Sequence, residues 1–83
     1  MAIYAYVTDY SDSGLYVVNV TNPASMDLDG VLEGWGAPPW LGEAWGVFID
    51  GSYAYIASHD DNSLTIIDIS DPTNPAYVGR YSH

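Results

Sequence analysis

One pattern of residues occurs twice in this chain, and every matched pair of positions lies 49 residues apart. Residues 4–7 read Tyr-Ala-Tyr-Val and residues 53–56 read Tyr-Ala-Tyr-Ile. A mostly apolar segment follows in each copy, at residues 15–20 and 64–69, and each segment ends shortly before a proline. A repeat of this length is typical of stacked supersecondary units. The chain is therefore expected to fold as two similar units.

Each unit is predicted to consist of short strands joined by turns. Aromatic and β-branched residues are concentrated in the apolar segments, while Asp, Asn, Ser and Gly are concentrated between them. Pro23 and Pro72 end a strand in each copy, because proline cannot donate a hydrogen bond to a sheet. No window shows ten residues of helical periodicity free of Gly, Pro or a turn cluster. The fold class is therefore all-β, with predicted strands at residues 3–8, 15–20, 30–35, 44–49, 53–57, 64–69 and 76–81.

The pattern inside two of these strands predicts more than a simple two-layer sandwich. Residues 15–20 and 64–69 are apolar at adjacent as well as alternate positions, which predicts burial of both faces of their sheets. Small antiparallel sheets packed face to face around an axis bury both faces. The strand pattern thus favours blades of a β-propeller.

Composition narrows the range of partners. The 83 residues include eleven acidic side chains and a single base, Arg80, for a formal net charge of −10, and this charge would repel nucleic acid. No apolar run approaches the ~20 residues that a membrane span needs, and the sequence has no basic and apolar export signal. We expect a soluble chain that does not bind nucleic acid. The compartment stays open, an extracellular one included.

The second copy resembles the LVIVD repeat, a family of β-propeller blades. The first copy is a less regular version, with Asn19 and Asn22 where the second has Asp68 and Asp71. The matching segments are Tyr-Ala-Tyr-Ile-Ala at 53–57, Ser-Leu-Thr-Ile-Ile-Asp-Ile-Ser-Asp-Pro at 63–72 and Pro-Ala-Tyr-Val-Gly at 75–79.

The resemblance implies how the strands are arranged. If the strands of a blade are named a to d from the axis outwards, the chain reads b, c, d and then a, b, c, d. It would form one domain, with an incomplete first blade at residues 1–35, a Gly/Pro/Trp loop at 36–43 and a second blade at 44–83. Two blades cannot close a ring, and unpaired strand edges invite pairing. We therefore expect a head-to-tail homo-oligomer, a trimer or a tetramer, or a filament where the rotation does not close. The chain as a fragment of a longer propeller is the remaining alternative.

All three tryptophans fall within eleven residues, at Trp35, Trp40 and Trp45, where the first copy is longer than the second. Tryptophans on a loop rich in glycine and proline offer rigid apolar area for a glycan or a peptide. In the alternative interpretation Trp45 belongs to the core, while Trp35 and Trp40 cover a contact between subunits.

Two acidic loops are candidates for Ca²⁺ binding. Asp9 and Asp12 lie in the first loop, and Asp60 and Asp61 lie in the second. Carboxylate oxygens suit Ca²⁺, but the same residues are ordinary in turns, where they bond to the local backbone. Neither loop has EF-hand spacing, and no other cofactor is indicated.

Catalysis is not favoured by the sequence. Asp68 and Asp71 are the best paired carboxylates, but the resemblance places them at a structural corner of the blade. We expect a non-enzymatic interaction or scaffold module that self-assembles head-to-tail, with a glycan or peptide as a possible ligand. The alternatives are a structural protein that polymerises through open strand edges into an extracellular filament or surface layer, and a fragment of a larger propeller enzyme.

Overall fold

The computed structural model describes residues 2–82 and contains strands and turns without a helix in that range. The all-β prediction is confirmed. No segment of the described residues forms a helix long and apolar enough to cross a membrane. The strands are β1 (Tyr4–Asp9), β2 (Gly14–Asn19), β3 (Asp27–Glu33), β4 (Ala44–Asp50), β5 (Tyr53–Ser58), β6 (Ser63–Asp68) and β7 (Ala76–Ser82).

The strands form two antiparallel sheets. The first has the order β1-β2-β3 and the second has the order β4-β5-β6-β7. Within each sheet, strands that follow one another along the chain are paired, because short connections join antiparallel strands directly. The first sheet has three strands and the second has four, as the resemblance to the LVIVD repeat implied.

The third strand begins and ends earlier than predicted. Strand β3 spans Asp27–Glu33 rather than residues 30–35, because Asp27 pairs with Asn19 and Leu28 pairs with Val18 across a register shift. The acidic residues around Leu28 had the composition of a turn, but pairing with β2 extends them. Beyond Glu33 the chain leaves the sheet.

The core lies between the two sheets. Leu15 and Val17 of β2 are fully buried, and Leu15 shares one apolar cluster with Ala54 and Ile56 of β5 and Ile67 of β6. Tyr6, Leu32, Val47 and Tyr77 pack at the margin of this cluster. The fully or almost fully buried apolar side chains are Leu15, Val17, Leu41, Ala44, Ala54, Ile56, Ile67 and Ile69.

Each sheet buries one face within a single chain, so the prediction that both faces are buried is wrong at this level. In β6, Thr65 and Ile67 are fully buried, whereas Leu64 on the opposite face is 44% exposed. In β1, Val7 is 46% exposed. The apolar residues on the uncovered faces explain why the strands read as buried on both sides.

Candidate functional site

The connection between the sheets, residues 34–43, is held in place by the turn between β5 and β6. Asp61 accepts a hydrogen bond from Gly36 N at 3.0 Å with one carboxylate oxygen and one from Gly42 N at 2.9 Å with the other. A Cβ at Gly42 would lie 2.9 Å from Asp61 Oδ2, so a larger residue there would displace the Asp61 carboxylate. The Asp61 carboxylate therefore fixes both ends of the connection.

Trp40 lies inside this connection and is partly buried. The guanidinium of Arg80 lies 3.5 Å from the centre of its ring. The buried Thr65 donates a hydrogen bond to the Trp40 carbonyl at 2.8 Å. The next residue, Leu41, is fully buried in the core. Trp40 thus contributes to packing between the sheets more than to a free surface.

Trp35 and Trp45 are largely exposed. Trp35 is 67% exposed, and Trp45 is 66% exposed with its ring edge against His59 at 6.0 Å between centroids. The alternative that placed Trp45 in the core is wrong. A register shift between Ala44 and Gly46 buries Ala44 and leaves the Trp45 side chain outside the core.

An open cleft of about 390 Å³ lies at the end of the two sheets where the turns β1–β2 and β5–β6 meet the connection. Of the three tryptophans, Trp35 lines it, so the structure does not gather all three into one platform. The lining residues are Tyr10, Ser11, Ser13, Trp35, Glu43 and Asp60.

Glu43 organises one wall of the cleft. Its backbone N donates to Ser13 Oγ at 3.3 Å, and its Oε1 lies 3.1 Å from His59 Nδ1. A hydrogen bond to the Glu43 carboxylate raises the pKa of Tyr10, because the protonated phenol is the donor. This wall can present carboxylate and aromatic groups to a polar ligand.

The acidic residues proposed for Ca²⁺ fall into two separate turns. Asp9 accepts a hydrogen bond from Asp12 N at 3.1 Å, as a turn residue does. Asp61 is occupied by the two backbone N–H groups of the connection, while Asp60 lines the cleft. Among residues 2–82 no group of three or more acidic, His or Cys side chains is arranged to hold a metal ion.

A more extensive surface feature emerges when the two copies are compared position by position. We define the first outer face by the side of the first sheet that points away from the second sheet. Its residues are partly or largely exposed, whereas the counterparts of Ala5, Val7, Val18 and Val20, which lie 49 positions later, are buried in the core. Val7 is 46% exposed and Ile56 is fully buried. The first outer face comprises Ala5, Val7, Val18, Val20, Leu28 and Val31.

The second sheet shows the reverse relation. We define the second outer face by the side of that sheet that points away from the first sheet. Leu64 is 44% exposed there, whereas its counterpart Leu15 is fully buried. Tyr81 is 70% exposed, whereas its counterpart Leu32 packs against the core. The second outer face comprises Phe48, Tyr55, Leu64, Ile66, Gly79 and Tyr81.

The two outer faces thus resemble the two inner sides that pack against each other within the chain. Within the chain, the inner side of the first sheet packs against the inner side of the second. The first outer face corresponds in sequence to the inner side of the second sheet, and the second outer face corresponds to the inner side of the first. Leu28 and Val31 depart from this relation, because they stand where the second copy has Tyr77 and Arg80. Tyr16 also departs from it, because it stands where the second copy has Thr65. Its hydroxyl donates to Glu33 Oε2 at 2.5 Å, and this bond raises the pKa of Tyr16.

The sequence pattern pointed to the tryptophan segment and not to these faces. The signal was present, because the spacing of 49 residues pairs buried residues of one copy, such as Leu15 and Ile56, with exposed residues of the other, Leu64 and Val7. The sequence does not indicate which side of each sheet is buried in the contact between the two sheets.

Comparison with known families agrees with the repeat. The model of the family described as LVIVD repeat matches residues 3–32 and 41–83. The unmatched interval contains Trp35 and Trp40 and most of the connection. No curated protein and no solved structure gives a significant match to the chain.

Proposed function

The chain belongs to the LVIVD repeat family, and from this premise we propose that it is a non-enzymatic scaffold module that assembles head-to-tail with copies of itself. The observation that carries the proposal is the exchange of burial between the two copies: residues buried in one are exposed in the other. Apolar surface of this kind is stabilised when it leaves water. A second copy of the chain has the complementary surface.

The contact is proposed to be heterologous. The first outer face corresponds to the inner side of the second sheet, which packs against the inner side of the first sheet within the chain. The second outer face corresponds to that inner side of the first sheet, so the first outer face of one copy should bind the second outer face of another copy. Such a contact leaves one of each face free at the ends of a dimer, so it continues until a ring closes or a filament grows. A closed ring of three or four chains would form the proposed propeller, and an open series would form the structural polymer.

The inner strand supports a non-enzymatic role. From Ala44 to Ile49, β4 carries no ionisable side chain. An enzyme with its site on the axis would place acids, bases or metal ligands on this strand of each blade. In the proposed assembly the axis is instead lined by apolar and small residues, with Asp50 at the end of the strand.

The first test is the native mass of the full chain in solution, measured by light scattering after size-exclusion chromatography. A discrete mass of three or four times 9.0 kDa supports the closed ring. A very large mass supports the filament. A monomer that persists at high concentration overturns the proposal.

A mixing experiment tests whether the contact is head-to-tail. Val7→Glu places a charge on the first outer face and Leu64→Glu places one on the second, both at exposed positions where the monomer tolerates it. Each variant alone is expected to remain monomeric, whereas an equimolar mixture forms a dimer through its remaining pair of intact faces. Ser52→Glu adds the same charge to an exposed turn and should assemble like the wild type. A variant that still dimerises alone would indicate a symmetric contact and contradict the head-to-tail arrangement.

We propose ligand binding in the cleft as a second role, since Trp35 is exposed there beside Tyr10 and Glu43. The tryptophan would stack on a sugar ring or a proline, and the polar groups would orient it. The probes are a glucose oligosaccharide and a proline-rich peptide, each titrated against the protein and observed by NMR. Chemical-shift changes that appear with the wild type and are lost in the Trp35→Ala variant would support this role. Chemical-shift changes that persist in the Trp35→Ala variant would contradict it.

A further inference from the structure

We propose that the corner at Pro23 of one copy docks over Gly79 of the next copy, as the corner at Pro72 docks over Gly30 within the chain. The inference rests on the proposed head-to-tail assembly and names the atoms at which the two copies meet. It follows from three observations. A proline corner packs on one strand glycine inside the chain, the equivalent glycine of the other sheet has nothing packed on it, and the two proline corners have the same hydrogen bonds.

The occupied position is Gly30 in β3. A Cβ at Gly30 would lie 2.2 Å from the carbonyl oxygen of Pro72 and 3.0 Å from Cδ of Pro75. No side chain fits in that space without moving backbone, so glycine is required for the two sheets to approach. The corner between β6 and β7 therefore packs directly on the backbone of β3.

The equivalent position in the second sheet is Gly79, which lies 49 residues later. Gly79 pairs with Ile66 across β6 and β7, just as Gly30 pairs with Val17 across β2 and β3. A Cβ at Gly79 would meet nothing within 4 Å. Its φ is not positive, so the local backbone does not require glycine. Gly30 and Gly79 both lie beside a register shift in their sheets. The added methyl group that has no room at Gly30 has open space at Gly79, so packing within one chain does not require glycine at Gly79 and a docked partner would.

The corner that would dock there has the same geometry as the one that docks inside the chain. In the first corner Asn22 Oδ1 accepts from Ala24 N at 3.1 Å, and Asn22 O accepts from Ser25 N at 2.9 Å. In the second corner Asp71 Oδ1 accepts from Thr73 N at 3.1 Å, and its O accepts from Asn74 N at 3.0 Å. These are the same turn at a spacing of 49 residues.

The residues entering the two corners match as well. Asn19 Oδ1 accepts from Thr21 N at 3.0 Å, and Asp68 Oδ1 accepts from Ser70 N at 2.8 Å. From this equivalence we infer that the carbonyl of Pro23 lies on the first outer face as the carbonyl of Pro72 lies against Gly30. Met26, which is 59% exposed, stands in the place of Pro75. Its flexible side chain can adapt to the partner where the internal contact uses a rigid ring.

The test is the variant Gly79→Ala in the full chain. The added methyl group has open space in a single chain, so the circular dichroism spectrum and the unfolding midpoint of the dilute monomer should match the wild type. In the assembly the same methyl would collide with the partner's Pro23 carbonyl. We expect the dissociation constant measured by sedimentation to rise at least tenfold, and Gly79→Val should weaken association further.

Mixing locates the effect on the proposed side. Gly79→Ala mixed with Val7→Glu should recover a dimer, because one variant keeps the first outer face and the other keeps an open Gly79. Gly79→Ala mixed with Leu64→Glu should not, because both variants block the second outer face. Recovery in the second mixture, or wild-type association by Gly79→Ala alone, overturns the inference.

The two proposals fail in different ways. A wild-type chain that never associates overturns the scaffold function and this inference with it. A wild-type chain that associates while Gly79→Ala associates equally well overturns only the docking of Pro23 over Gly79. Gly30→Ala is the comparison for the internal contact, where the same methyl should destabilise the fold of the monomer itself.

Discussion

The guanidinium of Arg80 lies 3.5 Å from the centre of the Trp40 ring and so connects the last strand of the second sheet to the segment between the sheets. Arg80 Nη1 also donates to Ser63 Oγ at 3.1 Å. In a chain with one basic residue and a formal charge of −10, the single side-chain cation is used to hold a tryptophan rather than left in solvent. The connection is therefore a packed element and not a loose linker.

Replacing Arg80 should loosen this contact. Arg80→Met keeps apolar length but removes the cation and its hydrogen bond, and we expect the free energy of unfolding to fall by about 1–2 kcal/mol. Arg80→Lys is the matched control, since it keeps the charge without the planar group that stacks on the ring. Urea unfolding followed by circular dichroism measures the difference. Equal stability of wild type and Arg80→Met would show that the contact contributes nothing.

Removing the Asp61 carboxylate should lower the free energy of unfolding more than removing the Asp60 carboxylate. Asp61→Ala leaves the N–H groups of Gly36 and Gly42 without their acceptor, which should destabilise the fold by about 1–3 kcal/mol. Asp60→Ala removes the same charge from an exposed position on the cleft and should change stability little. The melting temperatures of both variants decide the matter. They should be measured with and without Ca²⁺, because a rise on adding the ion to the wild type would instead indicate a metal at these loops.

Low pH should reduce the stability that the Asp68 carboxylate gives to the corner after β6. A hydrogen bond from Ser70 N lowers the pKa of Asp68 from its ordinary value of 3.8, because the charged form is the better acceptor. The resulting stability is present above 3.8 and is lost as the pH falls through the lower folded-state pKa. Asp68→Asn copies Asn19 of the first repeat, keeps the acceptor and should lack this loss. Unfolding of wild type and variant between neutral pH and pH ~2 should diverge only at the acid end.

Salt should strengthen assembly. Each copy carries a formal charge of −10, and neither outer face offers a base to offset it, so approach of two copies is opposed by repulsion. Raising the ionic strength from a physiological to a high value shortens the electrostatic screening length from about 8 Å to about 3 Å. The weaker repulsion should lower the dissociation constant for association of two copies. Sedimentation at low and high sodium chloride measures this. Weaker association at high salt would point to attractive ion pairs that the proposed contact does not contain.

The backbone plan was largely predictable from the sequence. Short apolar segments bounded by turn residues and prolines fix where strands begin and end, and the repeat fixes their order. The error at β3 arose because Asp27, Leu28 and Asp29 have the composition of a turn, while their conformation is imposed by pairing with Val18 and Asn19. Strand pairing is a non-local interaction that composition does not report.

The candidate sites were less predictable. The tryptophan segment was identified, but its three members have different surroundings: Trp40 lies beneath Arg80, Trp35 lines the cleft and Trp45 is outside the core. Side chains close in sequence separate in space because a register shift and a hydrogen-bonded connection turn them in different directions. The role of Asp61 was likewise open until its two N–H partners were known.

The sequence by itself determined the two β units, their relation at a spacing of 49 residues and the membership of the LVIVD repeat family, because these depend on local pattern. Only the tertiary structure decided which side of each sheet is covered and that Gly30 is occupied while Gly79 is open. The physical reason is that repeated segments are chemically alike, and it is the packing of one against the other that makes their positions unequal.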